Sequence, residues 1–128
     1  MKEKAQALLY NFTDEERCRR IQRYLRKAGV SVRKVQAPEF LHPLGYLFEM
    51  PGFAPCPQFN LGGNFPEEML VMKDFSEDQM DGFLNFFRES GLEPVELKAV
   101  LTLVTQHWSS LKLHAELTEE HRAMSARC

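Results

Sequence analysis

Leu8-Leu9-Tyr10-Asn11-Phe12-Thr13-Asp14-Glu15-Glu16 and Leu70-Val71-Met72-Lys73-Asp74-Phe75-Ser76-Glu77-Asp78-Gln79 follow one order: an apolar strand-like run, then Asn or Asp, Phe, a hydroxyl residue and an acidic turn. Further on each reaches a glycine, in Lys27-Ala28-Gly29-Val30 and Glu89-Ser90-Gly91-Leu92, and then enters a second strand-like run. A one-residue gap aligns the two segments. An internal repeat decides architecture more firmly than local propensity does.

The physics of each half is readable. Thr13 with Glu16, and Ser76 with Gln79, match the capping box, in which the hydroxyl accepts from a backbone N–H three residues on and the acid or amide reaches back. Phe75 and Met80 are placed to form a hydrophobic staple, whereas the position opposite Phe12 is Arg17, so the staple is expected in the second half alone. Cys18, Ile21, Leu25 and Ala28 recur at three- and four-residue steps and give the first helix one apolar stripe. Met80, Leu84 and Phe87 form the equivalent stripe in the second, widened by Phe83 and Phe86. Gly29 and Gly91 sit where a left-handed residue ends each helix without a Cβ clash.

Strands are expected over residues 5–12, 30–36, 69–73 and 97–104. In the last, Leu97, Ala99, Leu101 and Leu103 share one face by the period of two, and Lys98, Val100 and Thr102 the other. A third helix is expected over 105–124, with apolar residues in two rows: Trp108, Leu111, Ala115 and Leu113, Leu117, Met124. Two βαβ halves in series, with room for a strand between those each helix joins, give a ferredoxin-like α+β sandwich arising by internal duplication. The single domain divides into a first half (1–36), an insert (37–67), a second half (68–104) and a C-terminal helix (105–128).

The insert holds six of the seven prolines, which excludes a simple hairpin. A connection of that length is functional or contains structure of its own. A short helix is expected over 41–48. Phe40, Leu44, Tyr46, Leu47, Phe48, Phe53, Phe59 and Phe65 are apolar enough to lie on the sheet, so the insert and last helix are expected to cover the face that the two main helices leave bare.

The composition is that of a globular chain, with 44% hydrophobic and 27% charged residues and a net charge of −2. No overall positive field attracts a phosphate backbone or an anionic membrane. The exception is the basic run Arg17, Arg19, Arg20, Arg23, Arg26, Lys27, Arg33, Lys34. It reads as a solvated helix face, or alternatively as an anion-binding or acidic-partner surface. With neither a signal-peptide pattern nor a bilayer-length apolar run, the expected location is cytoplasmic. Cys18, Cys56 and Cys128 are odd in number and lack paired spacing, against a disulfide framework or closed zinc site. Cys18 reads as a core residue and Cys128 as a frayed end.

The chemistry-bearing residues do not converge on a reaction. His107, His114 and His121 are spaced by sevens, a rise of about 10.5 Å that is too long for a shared metal ion. They read as a solvent-facing stripe, or as a pH-sensitive contact. Cys56, between Pro55 and Pro57, has no CxxC partner or adjacent base. Leu61-Gly62-Gly63-Asn64 neither follows a strand nor opens a helix with a lysine, so it reads as a turn and not a phosphate loop. Glu67, Glu68, Asp74, Asp78 and Asp81 read as structural acids, Asp78 beside a helix cap that favours negative charge. RNA binding fails because Glu68-Met69-Leu70-Val71-Met72-Lys73 offers no aromatic platform. No catalytic residue, metal or cofactor is assigned.

Pro43-Leu44-Gly45-Tyr46-Leu47, Glu68-Met69-Leu70-Val71-Met72 with Phe75, Leu97-Lys98-Ala99-Val100-Leu101-Thr102, Trp108, and Glu116-Leu117 to Glu120-His121 stand in an order and spacing that resembles a small bacterial family, the domain of unknown function numbered three-seven-eight-three. The resemblance covers nearly the whole chain. In the family pattern a Pro-Thr-Asn turn follows Ala-Val-Leu-Thr, where this chain has Leu103-Val104-Thr105; a site built on that turn would not carry over. The resemblance implies no activity.

Two functional readings remain open. One is a non-enzymatic regulatory or protein-interaction module, a homodimer pairing through a sheet edge or the last helix. The other is a small-ligand binder or enzyme with a pocket between the insert and the last helix, lined by His42, Tyr46, Lys98, Thr102 and His107. Lys98 and Thr102 share a strand face there.

Overall fold

The computed structural model describes residues 5–126. It is a mixed α+β fold built on one four-stranded sheet in the order β2-β1-β3-β4. The strands are β1 (Gln6–Tyr10), β2 (Ser31–Val35), β3 (Met69–Lys73) and β4 (Leu97–Val100). The helices are α1 (Glu15–Lys27), α2 (Leu44–Leu47), α3 (Glu77–Ser90) and α4 (Ser110–Ala126).

β1 and β3 lie antiparallel at the centre, β2 is parallel to β1, and β4 is parallel to β3. This corrects the ferredoxin-like expectation, in which a strand separates the two that each helix joins. Here each pair is hydrogen-bonded directly, so each half is a closed βαβ unit. The central register has its own symmetry. Exchanging β1 with β3 about the Leu8–Val71 pair carries Gln6↔Lys73 onto Tyr10↔Met69.

The equivalence extends past the strands. Asn11 and Asp74 both adopt φ 61°, a left-handed conformation that Asn and Asp tolerate better than most residues. Gly29 and Gly91 follow the two helices at φ 84° and 75°. The one-residue gap falls at the helix starts. Ser76 and Gln79 form the expected reciprocal cap, at 3.1 and 2.9 Å. In the first half the cap is Asp14, whose carboxylate accepts from Arg17 N–H at 3.1 Å, and not Thr13. The extra residue between Phe12 and the helix moves the cap on by one. Ser76→Ala is therefore expected to lower stability by about 1 kcal/mol in urea unfolding, and Thr13→Ala by less than about 0.5 kcal/mol.

The two sheet faces carry separate cores. Ala7, Leu9, Leu70 and Met72 meet Cys18, Ile21 and Leu25 of α1 and Phe83 and Phe87 of α3. Leu84 belongs to the expected stripe but is 42% exposed, because Phe83 and Phe87 take the buried face of α3. Arg17 stands over the Phe12 ring at 5.9 Å, where α3 has its staple position. On the opposite face Leu8, Tyr10, Val35, Met69, Val71 and Leu97 meet Phe40, Leu44, Leu47, Phe48 and Phe65 of the insert and Leu113 of α4. The expected cover for the bare face is thus present, and it explains why β1 and β3 are apolar at consecutive positions.

The end of β4 and the start of α4 differ most from the sequence reading. β4 stops at Val100 because its ladder partner β3 ends at Lys73; the last rung is Leu101 N–H to the Met72 carbonyl, at 2.8 Å. Leu103 is 82% exposed instead of facing the core with Leu97 and Ala99. Thr102 and Thr105 then close a turn, Thr105 Oγ1 accepting from Thr102 N–H at 2.9 Å, so α4 starts only at Ser110. Among the described residues no helix is long and apolar enough to cross a membrane. Cys18 is buried, Cys56 partly exposed and unpaired, and Cys128 lies outside the described residues.

Candidate interaction surface

The insert is anchored at both ends. At its start Gln36 N–H donates to Glu39 Oε1 at 3.1 Å. Arg33 of β2 pairs with Glu39 at 2.5 Å and donates to the Leu47 carbonyl at 3.0 Å, fastening two points of the insert to one strand. Leu44 N–H donates to the Trp108 carbonyl at 2.8 Å. Gly45 has no room for a Cβ, which would stand 2.6 Å from the Phe53 ring. At the far end Asn11 Nδ2 donates to the carbonyls of Phe65 and Glu67, at 2.6 and 3.0 Å. Phe65 stacks on Phe40 at 4.8 Å and on His114 at 3.9 Å.

Between the anchors the chain turns at Phe59-Asn60-Leu61-Gly62-Gly63. Asn60 holds this turn with both ends of its amide. Nδ2 donates to the Ala37 and Gly63 carbonyls at 2.7 and 2.6 Å, and Oδ1 accepts from Gly63 N–H at 2.9 Å. Gly63 is pressed against α4, since a Cβ there would lie 2.5 Å from Leu111 Cδ1. The turn is therefore rigid and internally satisfied. Its two apolar side chains point away from the core, Phe59 at 86% and Leu61 at 94% exposure. This corrects the expectation that Phe59 lies on the sheet. Beside the tip opens a hollow of about 490 Å³ walled by Pro38, His42, Cys56, Pro57 and the tip itself.

The structure divides the five expected pocket residues. His42 and Tyr46 come together edge to face at 5.0 Å, with His42 Nδ1 accepting from Cys56 N–H at 2.9 Å. His107 is exposed and lies against Phe53 at 5.2 Å. Lys98 pairs in register with Leu70, whose side chain packs in the α1/α3 layer on the other side of the sheet. Thr102 belongs to the turn after β4, so it does not share a strand face with Lys98. The three spaced histidines also separate. His107 precedes α4 in a 3-10 turn, His114 is largely buried with Nε2 2.9 Å from Glu67 Oε1, and His121 is exposed, 3.8 Å from Glu96.

Behind the insert, Tyr10 Oη and Ser110 Oγ form a buried pair at 2.6 Å that ties β1 to the start of α4. Burial pushes the Tyr10 hydroxyl well above its ordinary pKa, outweighing the Ser110 bond that pulls the other way. Tyr10→Phe leaves the Ser110 hydroxyl buried and unpaired, and is expected to cost about 1–3 kcal/mol, part of which Ser110→Ala restores. The unfolded chain releases the Tyr10 proton first. Stability is thus expected to fall as pH rises past the ordinary tyrosine value of 10.0, and that slope flattens in Tyr10→Phe under alkaline urea titration.

Arg17 is removed from the basic run by its contacts. Its Nε and Nη2 hold the Glu68 carboxylate at 2.9–3.1 Å, and Nη1 donates to the Glu93 carbonyl at 2.5 Å. This fork pairing gives both direction and strength. It lies in a cleft of about 620 Å³ where Asp14, Glu67, Glu93 and Glu96 add further negative charge. Asp74 pairs with Lys73. Of the acids read as structural from the sequence, Glu67, Glu68 and Asp74 therefore have partners, in His114, Arg17 and Lys73.

These features define an α+β protein with a mixed sheet and an apolar tip on its insert. Residues 68–124, from just before β3 into α4, match the family model described as Domain of unknown function (DUF3783). The resemblance read from Glu68-Met69-Leu70-Val71-Met72 onward is borne out, while Pro43–Leu47 lies before the matched residues. No curated protein and no solved structure matches the chain.

Proposed function

We propose that the protein is a non-enzymatic, cytoplasmic interaction module that pairs with a second copy of itself through the tip of its insert. The observation that carries this reading is the pair Phe59 and Leu61, fully presented by a turn that Asn60 and Gly63 hold in one shape. A preordered apolar tip loses little conformational entropy on docking. The adjacent hollow supports a copy of the same chain as the partner, because a knob beside a recess is self-complementary about a two-fold axis. The β2 edge, bearing Arg33 and Lys34, is charged in the way that discourages strand pairing. The matching registers and φ angles of the two βαβ units support their origin in one duplicated element. Light scattering after size exclusion tests the reading: a species of twice 14.9 kDa is expected, and 14.9 kDa at all concentrations rejects it.

A second reading is favoured by the hollow itself, which His42 lines with Nδ1 already engaged. Nε2 is then the ring nitrogen that meets a small polar ligand, with Tyr46 supporting the ring. A metabolite-library thermal-shift screen tests this, a hit being expected to disappear in His42→Ala.

A further inference from the structure

Gly82 stands inside α3, where glycine costs about 1 kcal/mol relative to alanine. Tyr24 of α1 accounts for it. A Cβ at Gly82 would lie 2.5 Å from the Tyr24 hydroxyl oxygen, so the glycine leaves room for this ring to lie across α3 as it does. There Tyr24 stacks on Phe86 at 4.7 Å with 20° between the planes. The two half-buried rings floor a groove of about 240 Å³, rimmed by Arg20, Arg23 and Lys27. Elsewhere on α1, Arg17 and Arg19 are neutralised by Glu68 and Glu16. Among the described residues the three rim cations have no acidic partner, in a chain whose net charge is −2.

We propose that this groove docks an acidic peptide segment of a partner protein, its carboxylates on Arg20, Arg23 and Lys27 and one apolar side chain on the Tyr24–Phe86 floor. Charge complementarity sets the sign of the ligand, and the aromatic floor sets its amphipathic character. Arg20 to Lys27 is a rise of about 10.5 Å, which roughly three residues of extended chain cover. Length favours a peptide over a nucleic acid. A continuous phosphate chain laid along α1 would run from these cations onto Asp14, Glu15 and Glu16 and the acidic cleft beyond, whereas a short segment ends first. The groove lies on the α1/α3 layer, so the proposal holds whether or not the insert tip joins two copies.

Fluorescence anisotropy on the intact chain tests it, using a labelled short peptide of glutamates around one phenylalanine. Saturable, salt-sensitive binding is expected, weakened about tenfold or more by Arg20→Glu with Arg23→Glu, whose fold is checked by circular dichroism. Replacing the peptide phenylalanine by serine is expected to weaken binding severalfold. The proposal is overturned by absence of saturable binding, by equal binding of a glutamine-for-glutamate peptide, or by an unchanged affinity in the charge-reversed variant. Tighter binding of a short oligothymidylate than of the acidic peptide overturns it too, in favour of a nucleic-acid surface.

Discussion

The Phe59→Ser, Leu61→Ser double variant is expected to run as a monomer at concentrations where the natural chain is paired. Burying a Leu or Phe side chain is worth about 1.5–3 kcal/mol, and a two-fold contact buries both residues from each copy. The pairing free energy should drop by about 6 kcal/mol or more, roughly four factors of ten in Kd. The fold should hardly respond. Both side chains are already in water in the single copy, and the Asn60 hydrogen bonds that shape the turn remain. Urea unfolding of the variant is therefore expected to stay within about 0.5 kcal/mol of the parent in its monomeric form. A large loss of stability would mean that the tip packs on its own chain.

Phe83→Ala is the substitution expected to damage the fold most. Phe83 is wholly buried between the sheet and α1, with ring centroids 5.1 Å from Phe87, 6.1 Å from Tyr24 and 6.3 Å from Phe75. Removing it leaves a cavity that three rigid aromatic neighbours cannot close, for a loss of about 3–5 kcal/mol in urea unfolding. Leu84→Ala is the control. Its side chain is 42% exposed, and its loss should stay below about 1 kcal/mol. If the two cost the same, the buried face of α3 has been misassigned.

Much of this architecture is written in local chemistry. The strand, Asn or Asp, Phe and cap order around Asn11 and Asp74 marks both βαβ units, and the glycines at 29 and 91 mark the helix ends, because these features depend on nearest neighbours. Strand order does not. Whether β2 sits beside β1 or one strand away is decided by which long-range pairing fills both faces, and the same helix stripes serve either arrangement. The end of β4 is equally non-local, since the apolar alternation continues to Leu103 while the partner strand has already stopped.

The candidate surface was legible only in part. The aromatic content of the insert indicates a cover for the sheet, and Phe40, Phe48 and Phe65 provide it. Phe59 is chemically the same residue, and composition does not distinguish it from them. The available signal was Asn60 followed by Gly62 and Gly63: an amide able to bond a turn internally next to residues without side chains places its neighbours outward. Thr102 failed to join His42 because β4 is short and the period of two carries no information past the last rung, whereas Lys98 shares the register position of Leu70 and so faces the α1/α3 layer, away from the insert.

Amide hydrogen exchange at low and high protein concentration tests the pairing surface most directly. Slowed exchange confined to residues 57–63, appearing only at high concentration, is the expected result. Protection that does not change with concentration, or that appears along β2 or β4 while the tip keeps exchanging freely, contradicts it.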